Sequence, residues 1–388
     1  MTKMASAVVP LSLLAAAGFL SASGARVMDP LLHVIATDFA TTVPAVSVVV
    51  AAYTLPYGIC QILLGPLGDR FGKLRVMLVS LVLLALASVG CALSDNLSTL
   101  TVLRVAAGAA SAAIIPLGMA YVGDTVDYRD RQVTLSRYLN GIVLAQILAG
   151  PLGGLFGQYL GWRGVFLVLA GGTAVVALAL GRRIASLADR RGSATFSLLN
   201  YAILLRARVA RIVLLAGLFD GIVLMGSFPF LAPYMHEAFG LPYGAVGLVL
   251  ACFGLGALAY VRSAGFLVPR LGEPGMVLAG GAIMAAGVAA AVLTPVWWVL
   301  IPVQGAMGFG FFLLHGVLQS RATEMLPRAR ATAVASFAFM LFLGQSIGAL
   351  AMGVLIARLG YRDAFLCDAA AVLALGIGLA LLLRPARA

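Results

Sequence analysis

Between Val76 and Leu93 the chain runs for 18 residues without a charged side chain, and between Ala369 and Leu383 for 15. Comparable stretches recur along all 388 residues. Inside a hydrocarbon layer no water satisfies backbone N–H and C=O groups, so a spanning segment must be a helix or a strand of a closed barrel. Barrel strands alternate apolar and polar residues with a period of two, and these stretches do not. They suit helices, since about 20 residues cross a bilayer core. The chain is 62% hydrophobic and only 10% charged, against about 25% charged in soluble proteins. So few charges cannot coat a water-soluble fold. An all-α polytopic membrane protein is expected.

Twelve spans fit, near 8–33, 44–66, 76–94, 98–122, 137–159, 164–182, 209–232, 244–265, 275–294, 296–318, 332–357 and 363–383. An even number places both termini on one side. Of the 26 Lys and Arg residues, 21 fall on segments sharing the side of the N-terminus. Three (Arg163, Arg358, Arg362) fall on the other side, and Arg26 and Arg104 fall within spans. The positive-inside rule then makes both termini cytoplasmic. The formal net charge of +12 is thus a topology signal that needs no nucleic-acid partner. The N-terminal apolar stretch, which contains Arg26 and Asp29, reads as a retained first span rather than a signal peptide. The four cysteines lie in apolar runs with no C-x-x-C pair, so neither a metal nor a disulfide is expected.

The longest basic connection, 183–208, separates residues 1–182 from residues 209–388, and the two parts repeat. Leu103-Arg104-Val105-Ala106-Ala107-Gly108 aligns with Val303-Gln304-Gly305-Ala306-Met307-Gly308 at an offset of 200. Gly161-Trp162-Arg163 aligns with Gly360-Tyr361-Arg362 at 199, and the same offset pairs Gln146 with Gln345 and Pro30 with Pro229. The pattern implies two six-helix bundles of parallel orientation around a midplane site, as alternating access requires.

After span 2 the chain reads Gly65-Pro66-Leu67-Gly68-Asp69-Arg70-Phe71-Gly72-Lys73-Leu74-Arg75. This resembles the cytoplasmic signature of the major facilitator superfamily, with Leu74 where a base is usual. A degraded copy, Gly265 to Gly272, has Pro269 in place of the acid. The resemblance implies that Gly65, Gly68, Asp69, Arg70, Gly72, Lys73 and Arg75 form a conformational switch, in which Asp69 interacts with span 11. In span 5, Gly150-Pro151-Leu152-Gly153-Gly154 resembles the motif marking proton-driven antiporters of that superfamily. Small residues let helices approach closely, and Pro151 removes a backbone hydrogen bond. A hinge and a leak-tight seal are the expected roles.

Ionisable groups inside spans are costly and point to function. Arg26, Asp29 and His33 fall at i, i+3 and i+7 of span 1, which would place them on one helix stripe. Arg104 lies at a similar depth in span 4, and Arg104 followed by Gly108 resembles the family's R-x-x-x-G element. These four residues and Asp220 in span 7 are the candidates for proton coupling or substrate binding. A static Arg26–Asp29 pair is the plainer alternative. Asp368 is expected to pair with Arg362 or to cap its helix. Tyr53, Tyr57 and Gln61 (one stripe of span 2), with Gln146, Gln304 and Gln345, are expected to line a cavity or to pack helices. Gly344 to Gly348 fits G-x-S-x-G but lies inside an apolar helix, and Gly68 to Lys73 has the wrong spacing for a phosphate loop.

With no nucleophile–base set and no nucleotide site, an enzyme is not expected, nor is a cofactor. The expected function is proton-coupled efflux of small amphipathic compounds, similar to the twelve-helix drug:proton antiporters. The alternatives are a carrier of a sugar or organic anion and, more remotely, a non-transporting membrane sensor. Expected partners are a small-molecule substrate, protons and lipids, with the chain acting as a monomer.

Overall fold

In a computed structural model, residues 9–184, 198–326 and 330–383 are described. The expected basic connection falls largely on residues outside these. Its described end forms a helix, Leu198–Arg206.

Nine helices among the described residues are long and apolar enough to cross a membrane. Three of them are double spans. Tyr128–Ile184, Tyr243–Leu293 and Arg330–Leu382 break at Gly161 (φ 70°), Gly272 (φ 60°) and Gly360 (φ 78°). Glycine tolerates this left-handed backbone, where other residues are strained, so each break folds one span back against the next. The resulting arms are 128–160 and 162–184, 243–271 and 273–293, and 330–359 and 361–382. Twelve spans result. Large side chains such as Leu86 and Val102, 63% and 67% exposed, coat the outside. In lipid this exposure is the favourable arrangement.

Span 1, Leu11–Asp38, is not one continuous helix. Its first helix ends at Arg26, a 3-10 turn covers Asp29–Leu31, and a second helix covers Leu32–Asp38. Pro30 causes the break, because it has no N–H to donate and its ring clashes with the carbonyl four residues back. Span 7, Arg208–Phe239, is interrupted at the equivalent depth by a π-helical turn, Gly221–Met225, and a 3-10 turn at Phe228–Phe230.

The halves meet along two seams. In one, span 5 packs on span 8 so closely that a methyl group on Gly154 would strike the Tyr243 backbone carbonyl, and one on Gly247 would lie 2.7 Å from Gly150 O. In the other, span 2 packs on span 11, where the Thr54 and Ser346 hydroxyls are 2.7 Å apart and Tyr57 packs edge-on against Phe342. Further contacts close the end that carries Arg163. There Gly244 N donates to Gln158 Oε1 at 3.2 Å, and His33 Nδ1 lies 3.3 Å from Glu237 Oε1. These contacts across the halves run from the Arg163 end to mid-depth.

Candidate functional site

Arg26, Asp29 and Arg104 come together between spans 1 and 4, all buried. Arg26 Nη1 lies 3.5 Å from Asp29 Oδ2, and neither this nitrogen nor Asp29 Oδ1 has a hydrogen-bond partner. Arg104, 1% exposed, donates from Nη1 to Gly24 O at 3.0 Å and stands 4.2 Å over the Tyr53 ring. Tyr53 is itself fixed by donating to Ser21 O. Removing a guanidinium from water costs several kcal/mol. Here π-faces and one carbonyl offset part of that cost, and one carboxylate serves two cations.

Arg26 also bridges the halves. Its Nε donates to Gln146 Oε1 at 3.2 Å, its Nη2 approaches Met225 Sδ at 3.0 Å, and its guanidinium lies 4.6 Å from the Phe228 ring centre. Arg26, Asp29, Gln146, Phe228, Leu250 and Phe253 surround a small cavity of about 20 Å³, enough to hold a water molecule. A groove of about 990 Å³ on the outside of spans 2, 3 and 4 is lined by residues such as Val79, Leu83 and Ala106. It is almost wholly apolar, as a lipid-facing surface is.

His33 does not join this cluster. The break at Pro30 ends the single stripe that i, i+3, i+7 spacing implied. His33 instead reaches across the halves to Glu237, with its ring 4.8 Å from that of His236. Glu237 also accepts from the Tyr361 hydroxyl at 3.1 Å. The first half has the matching contact, where Trp162 Nε1 donates to Asp38 Oδ2 at 3.0 Å, and Arg163 pairs with the same oxygen.

Asp220 has a partner that sequence reasoning missed. Its Oδ2 lies 2.6 Å from His315 Nδ1 of span 10, and both residues are buried. The His315 ring stacks on Phe311 at 4.8 Å and 13°, with Phe337 at 5.9 Å on another side. A signal was present, because His315 falls inside an expected span, three residues from its end, whereas His33 is the last residue of its span. Asp368 does not pair with Arg362. It is buried beside Ser227, its Oδ2 has no hydrogen-bond partner, and no cation among the described residues pairs with it. Residues 362 and 368 are six apart, about 240° around a helix, and so point away from each other.

Of the span 2 stripe, Tyr53 and Tyr57 are buried and their rings stack at 6.1 Å, while Gln61 is half-buried. The repeat-related glutamines differ in placement. Gln146 binds Arg26, and Gln345 is buried where span 11 meets Gly221. Gln304 is fully buried, with neither amide atom hydrogen-bonded.

In the expected switch, Gly72 takes φ 96°, Gly68 packs on Leu117, and Arg70 lies 5.2 Å from the Phe71 ring centre. Lys73 pairs with Asp124 of span 4, and Arg75 lines the outer groove. The Asp69 side chain and the surroundings of Gly65 lie outside the described residues. Pro151 lies inside the long helix of spans 5 and 6. Gly150, Gly153 and Gly154 lie along the face of span 5 that meets spans 1 and 8: Gly153 faces Val27 O, and Gly154 faces Tyr243 O.

A family model described as Major Facilitator Superfamily matches residues 14–219 and 213–388. The chain is 26% identical over 361 residues to the uncharacterized MFS-type transporter YwfA of Bacillus subtilis, covering 92% of this chain and 87% of that protein. It is 36% identical over 140 residues to the MFS antiporter QDR3 of Candida albicans. That match takes in 36% of this chain and 20% of the antiporter, so the chain spans about a fifth of that relative's length. Among solved structures, an inward-facing, occupied bacterial homologue of the human lysosomal transporter Spinster matches with a TM-score of 0.78 at 17% identity, covering 96% and 95% of the two chains. The nucleoside transporter NupG matches with a TM-score of 0.77 at 13% identity, covering 97% and 99%. At such identities these likenesses show the fold alone. The family model spans both halves, however, and the chain belongs to the Major Facilitator Superfamily: a multi-pass secondary transporter of small molecules, not an enzyme.

Proposed function

We propose that the chain exports small amphipathic compounds in exchange for protons by alternating access, as a monomer in a bacterial inner membrane with both termini cytoplasmic. One observation carries this reading. Arg26 holds Asp29 within its own half and Met225 and Phe228 of the other half at the same time. A proton on Asp29 removes the charge that holds the guanidinium in place, so proton loading and the fit between the halves change together. The glycine face of span 5 is the rocking surface, because backbone-to-backbone contact lets it roll without side chains to unlock. Proton entry supplies about 2.3 kcal/mol per charge for each 100 mV, enough to drive modest efflux.

A second reading, a carrier of an organic anion, is favoured by the excess of positive charge where two buried arginines share one acid. The same assay separates the two. Purified protein in liposomes, with an imposed pH gradient and an internal pH dye, is offered ethidium, a neutral amphipathic dye and an amphipathic carboxylate. Export predicts ethidium flux with opposite proton movement, and Asp29→Asn should lower gradient-driven flux at least tenfold. Flux of the carboxylate alone would favour the second reading. Flux indifferent to the pH gradient would sink proton coupling.

A further inference from the structure

The second half holds a buried ion-pairing contact of its own, between Asp220 and His315, and its two members do not share exposure equally. The Asp220 side chain has no exposed surface, whereas that of His315 keeps 10%. An ionised carboxylate only accepts hydrogen bonds, so with Asp220 ionised the 2.6 Å contact is a donation from His315 Nδ1 to Asp220 Oδ2. That leaves Nε2 as the nitrogen with the free lone pair. Imidazole is the side chain that ordinarily titrates between about pH 5 and 8, and a fixed carboxylate behind it balances the imidazolium. Among the described residues, charged and titratable groups on the elements packed around it are few. Asp220 comes from span 7. Tyr260 of span 8 brings its hydroxyl against Gly316, the next residue. The Arg321–Glu273 pair of spans 10 and 9 lies nearly two turns further along. The face presented by span 11 is the Phe337 ring.

We propose that His315 is the proton-exchanging group of the second half. Nε2 takes up and releases a transported proton, and Asp220 is the positioning residue that fixes the tautomer and steadies the charged form. The dyad stands nine residues from the end of its helix at Glu324, about 14 Å at 1.5 Å per residue, on the side away from Arg163. The inference rests on the proton-coupled reading of the previous subsection.

The test uses the chain's having only three histidines, His33, His236 and His315. Protein with ¹³C-labelled histidine in lipid nanodiscs gives three ring signals, and variants lacking His33 or His236 assign the third without touching the dyad. The His315 signal should move with pH, and Asp220→Asn should alter that response, since the balancing charge is gone. In liposomes with ethidium and an imposed pH gradient, His315→Gln should lose at least tenfold of gradient-driven flux. Asp220→Asn should instead shift the pH profile of flux by the same amount as the signal. A His315 signal that does not move with pH in the wild-type protein overturns the proposal, whatever the variants do. So does full coupled flux in His315→Gln. Absence of proton movement in the wild type would overturn the proton-coupled reading itself, and that result is distinct from coupling that survives without His315.

Discussion

The two halves share their backbone contacts and differ in the polar groups they bury. Gly108 lets span 4 ride against the Tyr53 carbonyl, and Gly308, 200 residues on, does the same for span 10 and Phe253. Gly18 packs on Tyr138, and Gly217 packs on Phe337 at an offset of 199. At the Arg163 end, Trp162 donates to Asp38 and Tyr361 to Glu237, again at 199. The polar interior does not follow. Where the first half buries Arg104, the second buries Gln304. Ser21 meets Ser111 at 2.7 Å, whereas its counterpart Asp220 meets His315, four residues beyond the counterpart of Ser111. At the opposite end the ion pair is even reversed, with Lys73 and Asp124 facing Glu273 and Arg321. Close helix approach is set by absent side chains, which tolerate no addition. Buried polar groups carry no such constraint, and the two bundles bury different sets.

Four tests probe this contrast. Gln304→Arg gives the second half the first half's cation where no carboxylate is paired with it, and should cost several kcal/mol. A thermal melt in lipid nanodiscs indistinguishable from wild type would show that position 304 already offers a counter-charge. Gly108→Val and Gly308→Val should each cost about 3 kcal/mol, in equal measure. A large difference between their melts would break the claim that the close approaches are equivalent. Arg104→Gln makes the first half resemble the second. It should fold with a loss of about 2 kcal/mol, the scale of one charge-assisted hydrogen bond, while gradient-driven flux falls at least tenfold. Retained flux would remove Arg104 from the site. The smallest effect belongs to the reversed pair. Lys73→Glu with Asp124→Arg should recover what either single change loses, with a coupling below about 1 kcal/mol, because Asp124 is 48% exposed.

Much of this was legible in the chain. The spans follow from uncharged runs, and the repeat follows from a near-constant offset. The meeting of Arg26, Asp29 and Arg104 follows from similar depths. Other parts depended on geometry that periodicity does not carry. Spacing placed His33 beside Asp29 only if the helix continued, and Pro30 ends it. Asp368 and Arg362 are close in sequence but lie on different faces. His315 has no acidic neighbour within a turn on its own helix, and its partner stands 95 residues earlier, so only the packing of spans 7 and 10 brings them together. The family signature at residues 65–75 pointed to membership more directly than to any contact.

The π-helical turn at Gly221–Met225 separates two fixed points. On one side Asp220 is tied to His315, and on the other Met225 and Phe228 touch Arg26. A π turn winds more slowly than an α turn, so tightening these five residues to α geometry would rotate everything beyond them by about a quarter turn. Phe228 and Met225 would swing off the guanidinium, and Ser227 off Asp368, while Asp220 stayed where it is. With that rewinding span 7 would work as a clutch, gripping the first half in one form and releasing it in the other, without disturbing the dyad at its other end.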